Sequence, residues 1–284
     1  MRAESRAGLR RTWLAAAAVL GLAGPAQAHD TWLEPMAATA RGELPLVLGT
    51  GTRYPTFEFP IRLQQLASSG CRAEDVPAAR LSWVADRPDA LLLRSAQPLA
   101  GAAAPVCWAQ LLPIALEGIA PETVALYLDE INAPAAVRAA WAAQQARGVR
   151  WQESYVKHAR IELEGAKPAS APAQPVPMGM DVLMTAPRRP AQAGDALEFQ
   201  LLRDGQPLAG QAVEFRSNLS RFGFWRQTDA QGRVHFTPPL PARWLLRGTE
   251  LRLADGDPDR WQSRFLTLVF EVVAKDTPAR TRSP

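Results

Sequence analysis

Imidazole and thiol ligands are scarce in this sequence: His29, His158 and His235 are the three histidines, beside only two cysteines, Cys71 and Cys107. No further Cys and no close His completes a Cys-rich metal site, so the two cysteines are read as one disulfide, the default in an oxidising compartment. Closing that loop is expected to stabilise the fold by about 4 kcal/mol in the chain-entropy model. Catalytic signatures are missing as well. There is no nucleophile elbow, phosphate loop, dinucleotide fingerprint or zincin helix, and the glycine-rich Gly49-Thr50-Gly51-Thr52 carries no lysine and opens no helix. These absences point away from an enzyme.

A long apolar run is lacking too. Residues 1–28 have a basic start with Arg2, Arg6, Arg10 and Arg11, an apolar stretch from Trp13 to Ala23, and then Pro25 and the small-residue site Ala26-Gln27-Ala28. Eleven residues fall short of the roughly 20 that cross a bilayer as a helix, so the segment reads as a secretory signal cleaved after Ala28 and not as an anchor. Arg10-Arg11 fits both a twin-arginine leader and an ordinary Sec leader, and no Cys follows the cleavage site for lipid attachment. The expected product is periplasmic or secreted and has no membrane span. Removal takes away four Arg and one Glu, leaving 28 basic against 27 acidic side chains. A chain so balanced has no electrostatic footprint for nucleic acid or an anionic membrane.

The remaining 256 residues suffice for one large domain or two ordinary ones. Four prolines within Gly165–Pro177, with almost no large apolar side chain, mark an extended linker between two units at 29–164 and 178–275, followed by a disordered tail at 276–284. Beyond the linker the apolar period is two. Leu197, Phe199 and Leu201 share one face, Asp204-Gly205 turns the chain, Val213 and Phe215 resume, and Asp229-Ala-Gln-Gly232 turns it again before Arg233–Thr237. Trp244–Leu253 and Phe265–Val273 read as further strands, which together predict an immunoglobulin-like β-sandwich. In the first unit, Leu44–Leu48, Arg80–Val84, Ala90–Arg94, Val106–Leu112 and Glu153–Leu163 read as strands. Pro121–Ile131 and Pro134–Arg147 read as helices, with Pro near each first turn and Gly148 as a stop. The prediction is a mainly β protein: two antiparallel β-sandwich domains, the first with a helical insertion at about 121–147.

Cleavage at Ala28 makes His29 the first residue and changes its chemistry. A free α-amine and the imidazole Nδ1 of one residue can close a chelate ring on a metal ion, a donor pair that suits Cu(II), Ni(II), Co(II) or Zn(II). Asp30 and Glu34 are near enough in sequence to add oxygen ligands, and His158 completes the candidate set. His235, between Val234 and Phe236, is expected to face solvent if those two face the core. The tryptophans, Trp32, Trp151, Trp225, Trp244 and Trp261 among them, are read as packing residues.

Four ordered pieces carry a resemblance: His-Asp-Thr-Trp-Leu-Glu-Pro at 29–35; Tyr127-Leu-Asp-Glu-Ile with Arg147-Gly and Glu153-Ser-Tyr; Asp204-Gly-Gln-Pro-Leu-Ala-Gly; and Thr228-Asp-Ala-Gln-Gly with Arg243-Trp-Leu-Leu-Arg and Leu266-Thr-Leu-Val-Phe. The set resembles a domain-of-unknown-function family of secreted bacterial proteins labelled periplasmic components of cobalt and nickel uptake systems (NikM-like). The resemblance implies two β-rich domains, the second immunoglobulin-like or carboxypeptidase-regulatory-like, and a role in handling a divalent metal, with a membrane transporter or envelope protein as partner. Two readings compete with a non-enzymatic metal-binding protein. One is an envelope interaction module without metal, built of two β-sandwiches. The other is an enzyme whose N-terminal His resembles the copper brace of polysaccharide monooxygenases, which needs a second His from position 158 or 235.

Overall fold

Period-two alternation becomes strand over most of the chain. The computed structural model describes residues 29–167, 170–186 and 190–275; the expected leader at 1–28 and tail at 276–284 lie outside the described residues. In chain order, β1 (Asp30–Pro35), β2 (Pro45–Gly51), β3 (Phe59–Pro60), β4 (Leu66–Ala73), β5 (Val76–Ala79), β6 (Leu81–Asp86), β7 (Ala90–Ser95), β8 (Val106–Leu111) and β9 (Ile114–Glu117) precede two helices. These are α1 (Pro121–Glu130) and α2 (Ala135–Ala146), and β10 (Gln152–Glu162) follows them. The rest of the chain supplies β11 (Met180–Ala186), β12 (Ala191–Gln192), β13 (Leu197–Arg203), β14 (Gln206–Pro207), β15 (Ala212–Ser217) and β16 (Gly223–Gln227). It ends with β17 (Arg233–Phe236), β18 (Ala242–Ala254) and β19 (Asp257–Val273). The protein is mainly β, with several antiparallel sheets and two helices among the described residues.

Turn chemistry sets the local geometry. Asp204 (φ 50°) and Gly205 (φ 76°) both take the left-handed region, as a tight hairpin turn demands. In the 229–232 turn the Asp229 carboxylate accepts from the amides of Gln231 and Arg233, while Gly232 N–H returns to Asp229 O. Pro121 opens α1 at a position where a missing N–H costs nothing, and Gly148 (φ 75°) stops the chain just past α2.

The sheets stack in layers. The largest runs β16-β15-β18-β19-β10-β8-β4-β5, with β12 and β9 attached, and its ladders are antiparallel except where β19 pairs in parallel with β10 and β12. Alternate residues of β18 and β19 enter different cores: Leu245 and Val269 join one with Trp32, Leu33, Leu48, Leu91 and Ile161, whereas Trp244, Leu246, Leu268 and Phe270 join another with Val182, Phe199 and Phe215. The sheet is therefore covered on both faces, by β1-β2-β7-β6 on one side and by β11-β13-β17 on the other. The helices close a third cluster on the far end of the β18–β19 hairpin, where Val124, Tyr127 and Trp141 meet Trp151, Trp261 and Phe265. Cys71 and Cys107 face each other across β4 and β8 and are joined as a disulfide.

Candidate functional site

β1 carries two of the predicted ligands, Asp30 and Glu34, and follows directly on His29; it is buried because it lies between β2 and the broad sheet, against β10 and β19. His29 enters that strand half-buried. Its carbonyl accepts a hydrogen bond from Lys157 Nζ at 2.8 Å, and its ring packs on Phe59 with centroids 4.4 Å apart. Lys157 reaches this place from β10, on the face that also presents Tyr155, and its ammonium lies 5.7 Å and 5.8 Å from the ring centroids of Tyr155 and Phe265. Burial pulls its pKa down to about 8, against the opposing field of Asp30. Burial and then the Lys157 charge also lower the His29 imidazole, with Glu58 and Asp30 opposing. Glu58 is held by Thr52, whose N–H and Oγ1 donate at 2.7 Å and 2.6 Å and keep its carboxyl below the usual range. The corner thus sets an imidazole of lowered pKa in the field of an oriented carboxylate.

The other predicted ligands stand apart from His29 or are engaged. Asp30 meets Arg247 at 3.1 Å in a buried cluster in which Arg247 Nε also donates to Glu214 at 2.7 Å and Nη2 to the Glu130 carbonyl at 3.0 Å. Burial alone would lower the Arg247 pKa, but Asp30 and Glu214 more than offset it and hold the guanidinium charged. Glu34 takes Arg243 Nη1 at 2.7 Å, and burial nonetheless raises its carboxyl. His158 is paired with Leu266 in the β10–β19 ladder and sits on the face opposite Lys157 and Ala159. Its Nδ1 lies 3.0 Å from Phe265 O, and burial pulls its pKa down to about 4. His235 is exposed as alternation predicts, 3.7 Å from Glu198 across the β13–β17 ladder. The structure therefore brings no two histidines of the set together, and among the described residues no group of three or more His, Cys, Asp or Glu could hold a metal ion.

Three neighbours of His29 and Asp30 escaped the sequence reading. Lys157 left a signal, since it shares the apolar face of its strand with Tyr155, Ala159 and Ile161. Arg247 left a weaker one, as a charge inside the Trp244–Leu253 run. Glu58 left none, because only the folding of the 52–58 turn brings it to His29.

A family model described as domain of unknown function (DUF4198) matches residues 26–249. No curated protein gives a significant match. Among solved structures, the D0-D1 domain of intimin is similar at 9% identity over 86% of this chain and 98% of that chain, with a TM-score of 0.22.

Proposed function

We propose that this chain, which belongs to the DUF4198 family, is an exported, non-enzymatic envelope protein that binds a divalent transition metal at one place, the amine and imidazole of His29. The observation that supports this reading is the restraint on His29, with its carbonyl tied to Lys157 and its ring set on Phe59. A chelate formed by a flexible terminus must first order itself; here the residue is already placed, and its lowered imidazole pKa reduces competition from protons. Amine and imidazole nitrogens suit Ni(II), Cu(II) or Co(II), with Zn(II) as a further candidate, and Glu58, whose charge acts on the His29 ring, is the candidate oxygen donor. Asp30 and Glu34 are engaged by arginines and serve to fix β1, not to bind metal. Such a protein would buffer a metal or deliver it to a membrane transporter.

Calorimetric titration of the chain beginning at His29 with Ni(II), Cu(II), Co(II) and Zn(II) tests the proposal against a form that keeps one extra residue before His29. The extended form and His29→Ala should both lose most of the affinity while their circular dichroism stays unchanged, and His235→Ala should bind as the native chain does. Equal affinity in the native and extended forms would remove the N-terminal chelate and favour an interaction module without metal.

A further inference from the structure

Among the described residues the broad sheet ends at β16, which pairs there only with β15. The antiparallel ladder puts Thr228 N–H on Gln211 O at 3.0 Å, and strict alternation from that pair turns the backbone N–H and C=O of Gly223, Trp225 and Gln227 outward, away from β15. Arg226 Nη1 folds back onto the Trp225 carbonyl at 2.8 Å, as a side chain does at an edge without a strand beside it. Natural edges are ordinarily blunted by charged side chains, proline, a bulge or a covering loop. β16 carries one charge, Arg226, but has no proline, and no register shift interrupts its pairing with β15.

Apolar side chains lead up to this edge. Leu219 is 68% exposed, Phe222 83% and Phe224 38%. Beside it, Trp225 and Gln227 form one wall of an open groove of about 430 Å³ whose other wall is the α1–α2 turn, with Asn132 and Pro134. The indole of Trp225 is backed by the Arg247 guanidinium, 5.7 Å from the ring. The charge has one sign: from Phe215 to Thr228 there is no Asp or Glu but there are Arg216, Arg221 and Arg226. Arg216 is paired with Glu214, whereas Arg221 and Arg226 make no ion pair among the described residues.

We propose that β16 is a docking edge for an extended, acidic polypeptide segment of another protein, which adds a strand there and seats an apolar side chain in the Trp225 groove. Backbone pairing supplies the register, and alternate side chains supply specificity. Charge decides among occupants. A second copy would bring the unpaired Arg221 and Arg226 of one edge against those of the other, and the chain's own end carries Arg280 and Arg282 against a single Asp276. An acidic strand is favoured over both.

The test uses the full exported chain as bait for a displayed library of random ten-residue peptides, with an Arg221→Glu, Arg226→Glu double variant as counter-bait. Peptides alternating apolar and acidic residues should be enriched on the native chain, and a synthetic representative should bind the double variant at least tenfold more weakly. Methylation of alternate peptide amides should cost a similar factor, which binding through side-chain charge alone would not show. Both arginines are on the surface, and matching thermal unfolding of the two proteins would confirm that the variant is folded. The proposal is overturned if nothing is enriched, if enriched peptides have no acidic bias, or if the double variant binds them equally. It is also overturned if sedimentation shows native dimers that the double variant lacks, since the edge would then be filled by a second copy.

Discussion

Arg247 ties four parts of the molecule together, and removing it should be among the most damaging single changes outside the cores. Arg247 is 3% exposed and its partners Asp30 and Glu214 are each 5% exposed. Truncation to Ala takes the guanidinium from two buried carboxylates and removes one hydrogen bond from the Glu130 carbonyl. Breaking a buried pair by removing one partner costs about 3–5 kcal/mol. Arg216 still faces Glu214 at 2.8 Å and Lys157 still acts on Asp30, which places Arg247→Ala toward the lower end, at about 3 kcal/mol. At roughly 2–4 °C per kcal/mol for a chain of this size, the melting temperature should fall by about 6–12 °C. Arg247→Lys keeps the charge but not the fork that reaches three acceptors, and should recover only part of the loss. Urea unfolding followed by circular dichroism measures both, with Arg87→Ala as the control. Arg87 meets Asp89 at 3.5 Å with both side chains 44% exposed, and losing such a pair should stay within about 0.5 kcal/mol. An Arg247→Ala loss no larger than the control would refute the argument that this cluster is buried and mutually dependent.

The disulfide closes a loop over a sequence separation of 36, so reduction should lower stability by about 4 kcal/mol, and non-reducing peptide mapping should recover Cys71 joined to Cys107. Acid should weaken the fold through His158: its folded pKa of about 4 lies below the ordinary 6.5, so the unfolded chain takes up the proton first, and stability present above pH 6.5 is lost as pH falls toward 4. The shift corresponds to roughly 3 kcal/mol. His158→Gln, which cannot titrate, should flatten that limb of a stability-versus-pH curve, whereas an unchanged slope would place the acid sensitivity elsewhere.

Much of the architecture was legible because it is local. The strand expected at Ala90–Arg94 is β7 at Ala90–Ser95, and the helix expected at Pro121–Ile131 is α1 at Pro121–Glu130. Val234 and Phe236 are buried with His235 exposed between them, as the alternation required. What escaped is what only tertiary pairing decides. The segment 153–163 alternates cleanly, yet both of its faces are covered, because the parallel β10–β19 ladder sets it inside a sheet flanked by layers on either side. His158 and Arg160 therefore lie buried where alternation alone suggests a surface, and Arg160 finds Asp181 at 3.0 Å to stay there. Asp30 and Glu34 looked available as ligands because their arginines are 217 and 209 residues away in sequence. No local pattern announces a partner at that distance.

The most direct test of the metal account is the electron paramagnetic resonance spectrum of one equivalent of Cu(II) added to the chain beginning at His29. Two nitrogen ligands from a single residue predict coupling to one amine and one imidazole, abolished both by His29→Ala and by an extra residue placed before His29. Coupling to two imidazoles, or a spectrum that survives His29→Ala, would contradict it.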